Sequence, residues 1–381
     1  MARTLLVCGL IPRVRGVREI RRSAAIGTCV VLVAAGCGGG DEPGETTDDT
    51  PPAEPELALD EVGEFEEPIA LTSAKDGSLY VGERAGIVRH LDPAGKEDPE
   101  VVLDITGDVS TEGEGALLSL AHSPNGDEIF VTYAGRDKKL HLEAFVPGNE
   151  KSRRELLAIA HPNEVHWGGH LEFGDDGLLY LSTGEGGPVA PRPLVSQDPK
   201  SPLGKLFRLD PNAAKPDPEL IALGLRNPWQ FSIDGTDIWI GDVGDFQQEE
   251  VDLASTEVKE PPNYGWPILE GTAETGVEDK GEPLVEPVLT YERTGHPDDP
   301  NCAITGGHVV RDPALEPLVG RYIYVDYCRG VIESAKPSGT GLGEPEPTGL
   351  ELLRIASFAQ DAEGHSYAVA LTGKVYRLVY E

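Results

Sequence analysis

The sequence predicts an all-β protein, a six-bladed β-propeller with four-stranded blades. Three observations carry that expectation. A turn containing Gly, followed by a short run of alternating aromatic and β-branched residues, recurs six times along the chain. The copies are spaced 49, 51, 58, 85 and 44 residues apart at their turn glycines, which suits one four-stranded sheet per copy with insertions. The 46 Gly and 32 Pro are spread in short turn-like clusters rather than in a periodic tract, so many short strands are expected and long helices are not.

In chain order the copies are AKDGSLYVGERAGIVRHL, SPNGDEIFVTYAG, FGDDGLLYLSTGEGG, SIDGTDIWIGDVG, VGRYIYVDYCRGVIES and DAEGHSYAVALTGKVYRL. Their turn glycines are Gly77, Gly126, Gly177, Gly235, Gly320 and Gly364. The long interval after Gly235 calls for an inserted loop, and VEDKGEPLVEPVLTYERTGHPDDPN supplies one. The folded domain is expected over residues 59–381.

What precedes it is different in kind. Residues 1–36 hold six Arg against one acid and then the apolar run AAIGTCVVLVAAG, too short to span a bilayer comfortably. This reads as a signal peptide. Its end, Ala34-Ala35-Gly36-Cys37, resembles a bacterial lipobox, in which Cys37 would be lipidated; Ala34 stands where Leu is usual, and a plain secretory signal is the alternative. Residues 37–58, rich in Pro and acids without an apolar pattern, are expected to be a tether. The reading places the domain outside the cytoplasm, held to the membrane only by its lipid.

After residue 36 the chain carries 26 basic against 65 acidic residues, a net charge of −39. Such a surface excludes nucleic acid and anionic lipid as partners and keeps an exported protein soluble. Cys8 and Cys29 belong to the signal and Cys37 to the lipid, which leaves Cys302 and Cys328. In an exported domain that pair is expected as a disulfide, here joining the last two blades; two buried free thiols are the alternative.

The stretch HWGGHLEFGDDGLLYLSTGEGG, residues 166–187, sets a histidine in one glycine-rich turn and Glu185 in another. The loops at one end of a propeller converge on its central channel, so His166 is a candidate for the channel mouth. Zinc is a poor reading of His166 and His170: four-residue spacing puts both on one face only in a helix, and Gly168-Gly169 opposes a helix. TGEGG lacks the Lys-Ser/Thr of a phosphate loop, and PVAPRP after it forbids a helix. We read TGEGG as a mobile channel-mouth turn carrying Glu185, at the other end of the strand from His166, with only the His166 end facing substrate.

Read together, this stretch, LGKLFRLDP, GLRNPWQFSID, GDVGDFQQEEVDLA and NYGWP resemble the glucose/sorbosone dehydrogenase family, which includes the soluble PQQ-dependent aldose dehydrogenases. CAITGGHVVRDP and GRYIYVDYCRG resemble its branch containing Hedgehog-interacting proteins. The resemblance covers roughly residues 60–381 and implies oxidation of the C1 hydroxyl of an aldose, with hydride passing to PQQ and onward to an unspecified electron acceptor. It implies His166 as the base, since imidazole is a base near neutral pH. It implies Arg226, Asn227 and Arg354 at the cofactor, where guanidinium matches carboxylate. For Ca2+ it implies the Gly244 and Asp245 carbonyls beside the cofactor, and Glu250 with the Tyr264 carbonyl at a neighbouring structural site.

Three departures weaken the cofactor reading. Val165 stands where an acid or amide commonly precedes the histidine, Cys328 where the glucose enzymes have a lysine, and Ala356 where one of two arginines is expected. The alternative is a catalytically silent propeller that binds a carbohydrate or protein at the same mouth.

Overall fold

The computed structural model describes residues 55–92, 98–187, 194–294, 300–339 and 341–381. Besides two small two-stranded hairpins, the described strands form six four-stranded antiparallel sheets. We number them as blades by their inner strands: blade 1 from Pro68–Ser73, blade 2 from Leu117–His122, blade 3 from Gly168–Phe173, blade 4 from Pro228–Asp234, blade 5 from Ile304–Val309 and blade 6 from Ile355–Gln360. Each sheet then runs outward in chain order, except that blade 6 takes its outermost strand, Leu57–Glu64, from the start of the domain. Leu57 pairs with Tyr380 and Glu64 with Lys374, so the two ends of the domain close the ring. That strand begins two residues inside the stretch expected as tether. The signal, Cys37 and most of the tether lie outside the described residues.

All six predicted turn glycines have left-handed φ, between 62° and 87°. Each sits between the inner and second strand of its blade. A side chain there would be strained by backbone conformation alone, which is why Gly marks the repeat. The insertion after Gly235 starts earlier than the sequence suggested. It occupies residues 256–288 between the third and outermost strands of blade 4, and Leu289–Glu292, placed in the loop from sequence, is that outermost strand.

Alternating apolar side chains pack between neighbouring sheets. Leu171, Leu179 and Leu181 of blade 3 cluster with Phe130, Leu142 and Ala144 of blade 2. Side-chain hydrogen bonds tie blades together: Ser182 on the second strand of blade 3 donates to the Pro228 carbonyl of blade 4, and the Trp229 indole of blade 4 donates to the Ala356 carbonyl of blade 6. The Cys302–Cys328 disulfide is formed, with a Cα–Cα distance of 5.7 Å. It does not join two blades, as expected from sequence. Cys302 precedes the inner strand of blade 5 and Cys328 follows its second strand, so the bond staples two loops of one blade.

Candidate active site

Antiparallel order puts the loop entering each inner strand beside the loop leaving the second strand, at one end of the propeller. In blade 3, Gly168 pairs with Thr183. Residues 166–187 are therefore a hairpin rather than one strand, and its two ends meet. This corrects the reading of Glu185: its carboxylate lies 3.2 Å from His166 Nδ1. The two glycine-rich turns of the motif form one site.

His166 is buried and left-handed, with φ of 57°, a costly conformation for a side chain that carries a β-carbon. Its surroundings impose it. The His166 N–H donates to Glu114 at 2.7 Å, and its carbonyl accepts from His161 Nε2 at 3.0 Å. A Cβ on Gly184 would fall 1.9 Å from that carbonyl, so only glycine fits there.

The ring's partners also fix its tautomer. Arg226 Nη2 lies 3.0 Å from His166 Nε2, and guanidinium can only donate. Nε2 is therefore the acceptor, and Nδ1 carries the proton toward Glu185. Arg226 in turn donates to the Val243 carbonyl at 2.7 Å and to Asp245 at 3.1 Å, and its guanidinium lies over the Trp266 ring. The N–H groups of Arg226 and Asn227 both end on the carboxylate of Asp242, at 2.8 and 2.6 Å. Asn227 accepts from the Gly168 N–H, locking blade 4 to blade 3.

A cavity of about 300 Å³ opens at this mouth, lined by Arg84, Glu114, Asn227, Trp229, Tyr327 and Ala356 among others. Its walls are largely aromatic and aliphatic. Arg84 reaches the carbonyls of Thr111 and Gly113. Arg354 is exposed in the loop entering blade 6, and its carbonyl accepts from the N–H of Leu371, another lining residue.

The metal-ligand expectation resolves into two places. Gly244 and Asp245 lie in the loop after the second strand of blade 4. The Gly244 carbonyl accepts from Arg293 at 3.1 Å, while the Asp245 carboxylate pairs with Arg226. Glu250 lies deeper, directly opposite Asp242 in the ladder, and Asp252 shares its face two residues on. One ligand atom from each of Asp242, Glu250 and Asp252 lies within 4.8 Å of the others, and all three residues are buried. Burial first, then mutual repulsion, raises the pKa values of Glu250 and Asp252 well above the carboxylate range. Burial also raises the Tyr264 phenol, and the charges of Asp252 and Glu250 add to it.

Glu250 Oε2 and both oxygens of Asp252 have no hydrogen-bond partner. Uncompensated buried carboxylates are costly, and an all-oxygen donor set is what a hard cation requires. The residues fit calcium. Asp242, Asp252 and Glu114 escaped the sequence reading, and Glu185 was given no part in the site. Only the alternation in E-E-V-D could have paired Glu250 with Asp252.

The sequence profile of the glucose/sorbosone dehydrogenase family matches residues 65–308, and the chain belongs to that family. It is 30% identical over 288 residues to the HIPL1 protein of Arabidopsis thaliana, covering 59% of this chain and 40% of that one. It is 26% identical over 212 residues to the Hedgehog-interacting protein of Mus musculus, covering 44% of this chain and 30% of that one. The chain thus spans two fifths or less of these relatives. The PQQ-bound aldose sugar dehydrogenase of Streptomyces coelicolor shares the fold, with a TM-score of 0.68, 20% identity, and coverage of 87% of this chain and 100% of that one.

Proposed function

We propose that the protein is a PQQ- and calcium-dependent sugar dehydrogenase that oxidises the C1 hydroxyl of an aldose. The observation that carries this reading is the Glu185–His166–Arg226 array beside a cavity of about 300 Å³, which is lined by Glu114, the acceptor of the His166 N–H, and by Asn227, the neighbour of Arg226. The cavity's flat walls, Trp229 and Tyr327, suit a planar aromatic cofactor, with Arg84 and Asn227 in the lining for its carboxylates, Arg226 next to Asn227, and Arg354 bonded through its carbonyl to the lining residue Leu371. When bound, PQQ supplies the acceptor for the hydride from C1, and calcium the Lewis acid.

The chain's own residues handle the proton. His166 is held as the neutral Nδ1–H tautomer, which leaves Nε2 as the basic atom. Arg226 occupies that lone pair, so the guanidinium must yield before Nε2 can take the hydroxyl proton. Glu185 then faces the imidazolium and stabilises it, while Glu114 and His161 hold the ring's backbone. The Asp242, Glu250 and Asp252 carboxylates, with Tyr264 beside them, are proposed to hold a structural calcium.

The Arg-rich head, the apolar run and Cys37 support export and lipid anchoring; no helix among the described residues is long and apolar enough to cross a membrane. A second reading, a silent propeller that binds carbohydrate or protein at this mouth, is favoured by the absence of cations at Cys328 and Ala356. Tyr327 and Ala356 give the cavity apolar wall at these positions. Adding PQQ and Ca2+ and then an aldose separates the two. Bleaching of the oxidised quinone spectrum on sugar addition is expected, and PQQ failing to bind in calcium would leave the silent reading.

A further inference from the structure

Six large apolar side chains are exposed among the described residues, and the most exposed is Phe246, at 77%. It does not sit on a loose loop. The buried carboxylate of Glu270 accepts four successive backbone N–H groups through a single oxygen, from Asp245, Phe246 and Gln247 at 2.7 Å each and from Gln248 at 3.2 Å. The hairpin carrying Glu270, Leu269–Glu270 with Ala273–Glu274, is clasped to the same loop by Gln248, whose side chain accepts from Thr272. A stiff backbone therefore offers an aromatic ring to solvent.

The place is specific. Asp245, the preceding residue, pairs with Arg226 Nη2, and that nitrogen also contacts His166 Nε2. Phe246 thus follows directly on a residue two contacts from the proposed base, in the loop that leaves the second strand of blade 4 at the mouth end. The backbone is pinned while the ring joins none of the apolar clusters among the described residues.

From this geometry we infer that Phe246 is the platform on which the sugar ring stacks, a specificity-determining residue for a six-membered aldose. This rests on the reading of His166 as the base of an aldose dehydrogenase. A pyranose has polar edges but an apolar face of axial C–H groups, which matches the electron-rich face of phenylalanine. Glu270 has already ordered the loop, so little conformational freedom is lost when the sugar docks. The ring contributes binding without touching the proton, so it acts on substrate affinity rather than on the chemical step.

The test uses the full chain with PQQ and calcium, and D-glucose, D-galactose, D-mannose and D-xylose as probes. Phe246→Ala should raise KM about tenfold with kcat little changed, the signature of lost uniform binding. Phe246→Trp should retain a low KM, and Val319→Ala, an exposed apolar residue on a turn at the opposite end, should change nothing. If the wild type oxidises sugar and Phe246→Ala leaves KM unchanged, the platform is wrong and the enzyme reading stands. If the wild type is inert, saturation-transfer NMR with the same sugars decides. Transfer weakened in Phe246→Ala but not in Val319→Ala supports the platform, whereas no transfer to the wild type overturns it.

Discussion

The two ends of this propeller are built on different principles. At the end where inner and second strands turn, short hairpins serve every blade but the fifth, and their order is local: Asp76 caps the N–H of Ser78, Asp176 that of Leu178, and Asp361 that of His365. At the mouth the loops differ in length and are pinned by carboxylates from elsewhere in the chain. Asp242 holds Arg226 and Asn227, Glu270 holds residues 245–248, Glu114 holds His166, and Asp326 holds Cys302, Ala303 and Cys328. One end is written in neighbouring residues and the other in contacts that span tens of residues. An acid-rich composition, read from sequence as solvation, is in part the cement of the functional end.

The comparison is tested most severely at His166, which the mouth supports but which supports little itself. His166→Ala should lower sugar-dependent turnover by roughly 10²- to 10⁴-fold, the usual cost of a general base. PQQ affinity, followed by its visible spectrum, should change little, because Arg226 and Asn227 keep their places on Asp242. Full activity in this variant would mean that the base is misassigned.

The next effect concerns stability. Glu270→Ala removes the acceptor of four N–H groups and should cost about 3 kcal/mol, since buried donors left without partners are expensive. Gly177→Ala at the opposite end should cost only about 1–2 kcal/mol, the left-handed backbone penalty of a single residue. Urea melts of the two variants measure the contrast directly. Equal losses would show that the pinned loops are no more integral to the fold than the turns.

Legibility follows the same division. The six turn glycines were found because turn, strand and spacing are all local signals. His166, Arg226 and Asn227 were singled out through family resemblance, whereas Glu185 was misplaced because the stretch was read as one strand. The hairpin register that returns Glu185 to His166 depends on Gly168 facing Thr183. Glu114 is 52 residues from the N–H it holds, and Asp242 faces Glu250 only once the ladder has formed. Among so many acids, nothing in spacing alone marks these out. The disulfide was anticipated as a pair but assigned to two blades, since sequence order does not show that both cysteines flank the same hairpin.

A smaller effect is expected on removing divalent ions. If the Asp242, Glu250 and Asp252 cluster holds calcium, excess EGTA should lower the melting temperature by roughly 5 °C, and the loss should be reversed by adding calcium back. Glu250→Gln should remove most of that sensitivity. An unchanged melting temperature would mean that these carboxylates are held neutral by protons alone and that calcium has no role in the fold.

The smallest effect probes the channel below the mouth, where Glu172 stands on the inner strand of blade 3 beside a cavity of about 160 Å³. Burial pushes its carboxyl up to about 8, partly opposed by the Ile233 N–H that donates to it at 3.1 Å. The direction is opposite to that of a paired acid. Between the ordinary glutamate range and about pH 8 the folded protein keeps a proton that the unfolded chain has released, so stability falls as pH rises through this window. Below the window both states are protonated and nothing is lost. Glu172→Gln keeps the acceptor for Ile233 and removes the titration, so wild type and variant should be alike near pH 4. The variant should be more stable by on the order of 1 kcal/mol at pH 9. Parallel pH profiles for the two would show that water in the channel already solvates the carboxylate, making this stretch of the interior as wet as the mouth above it.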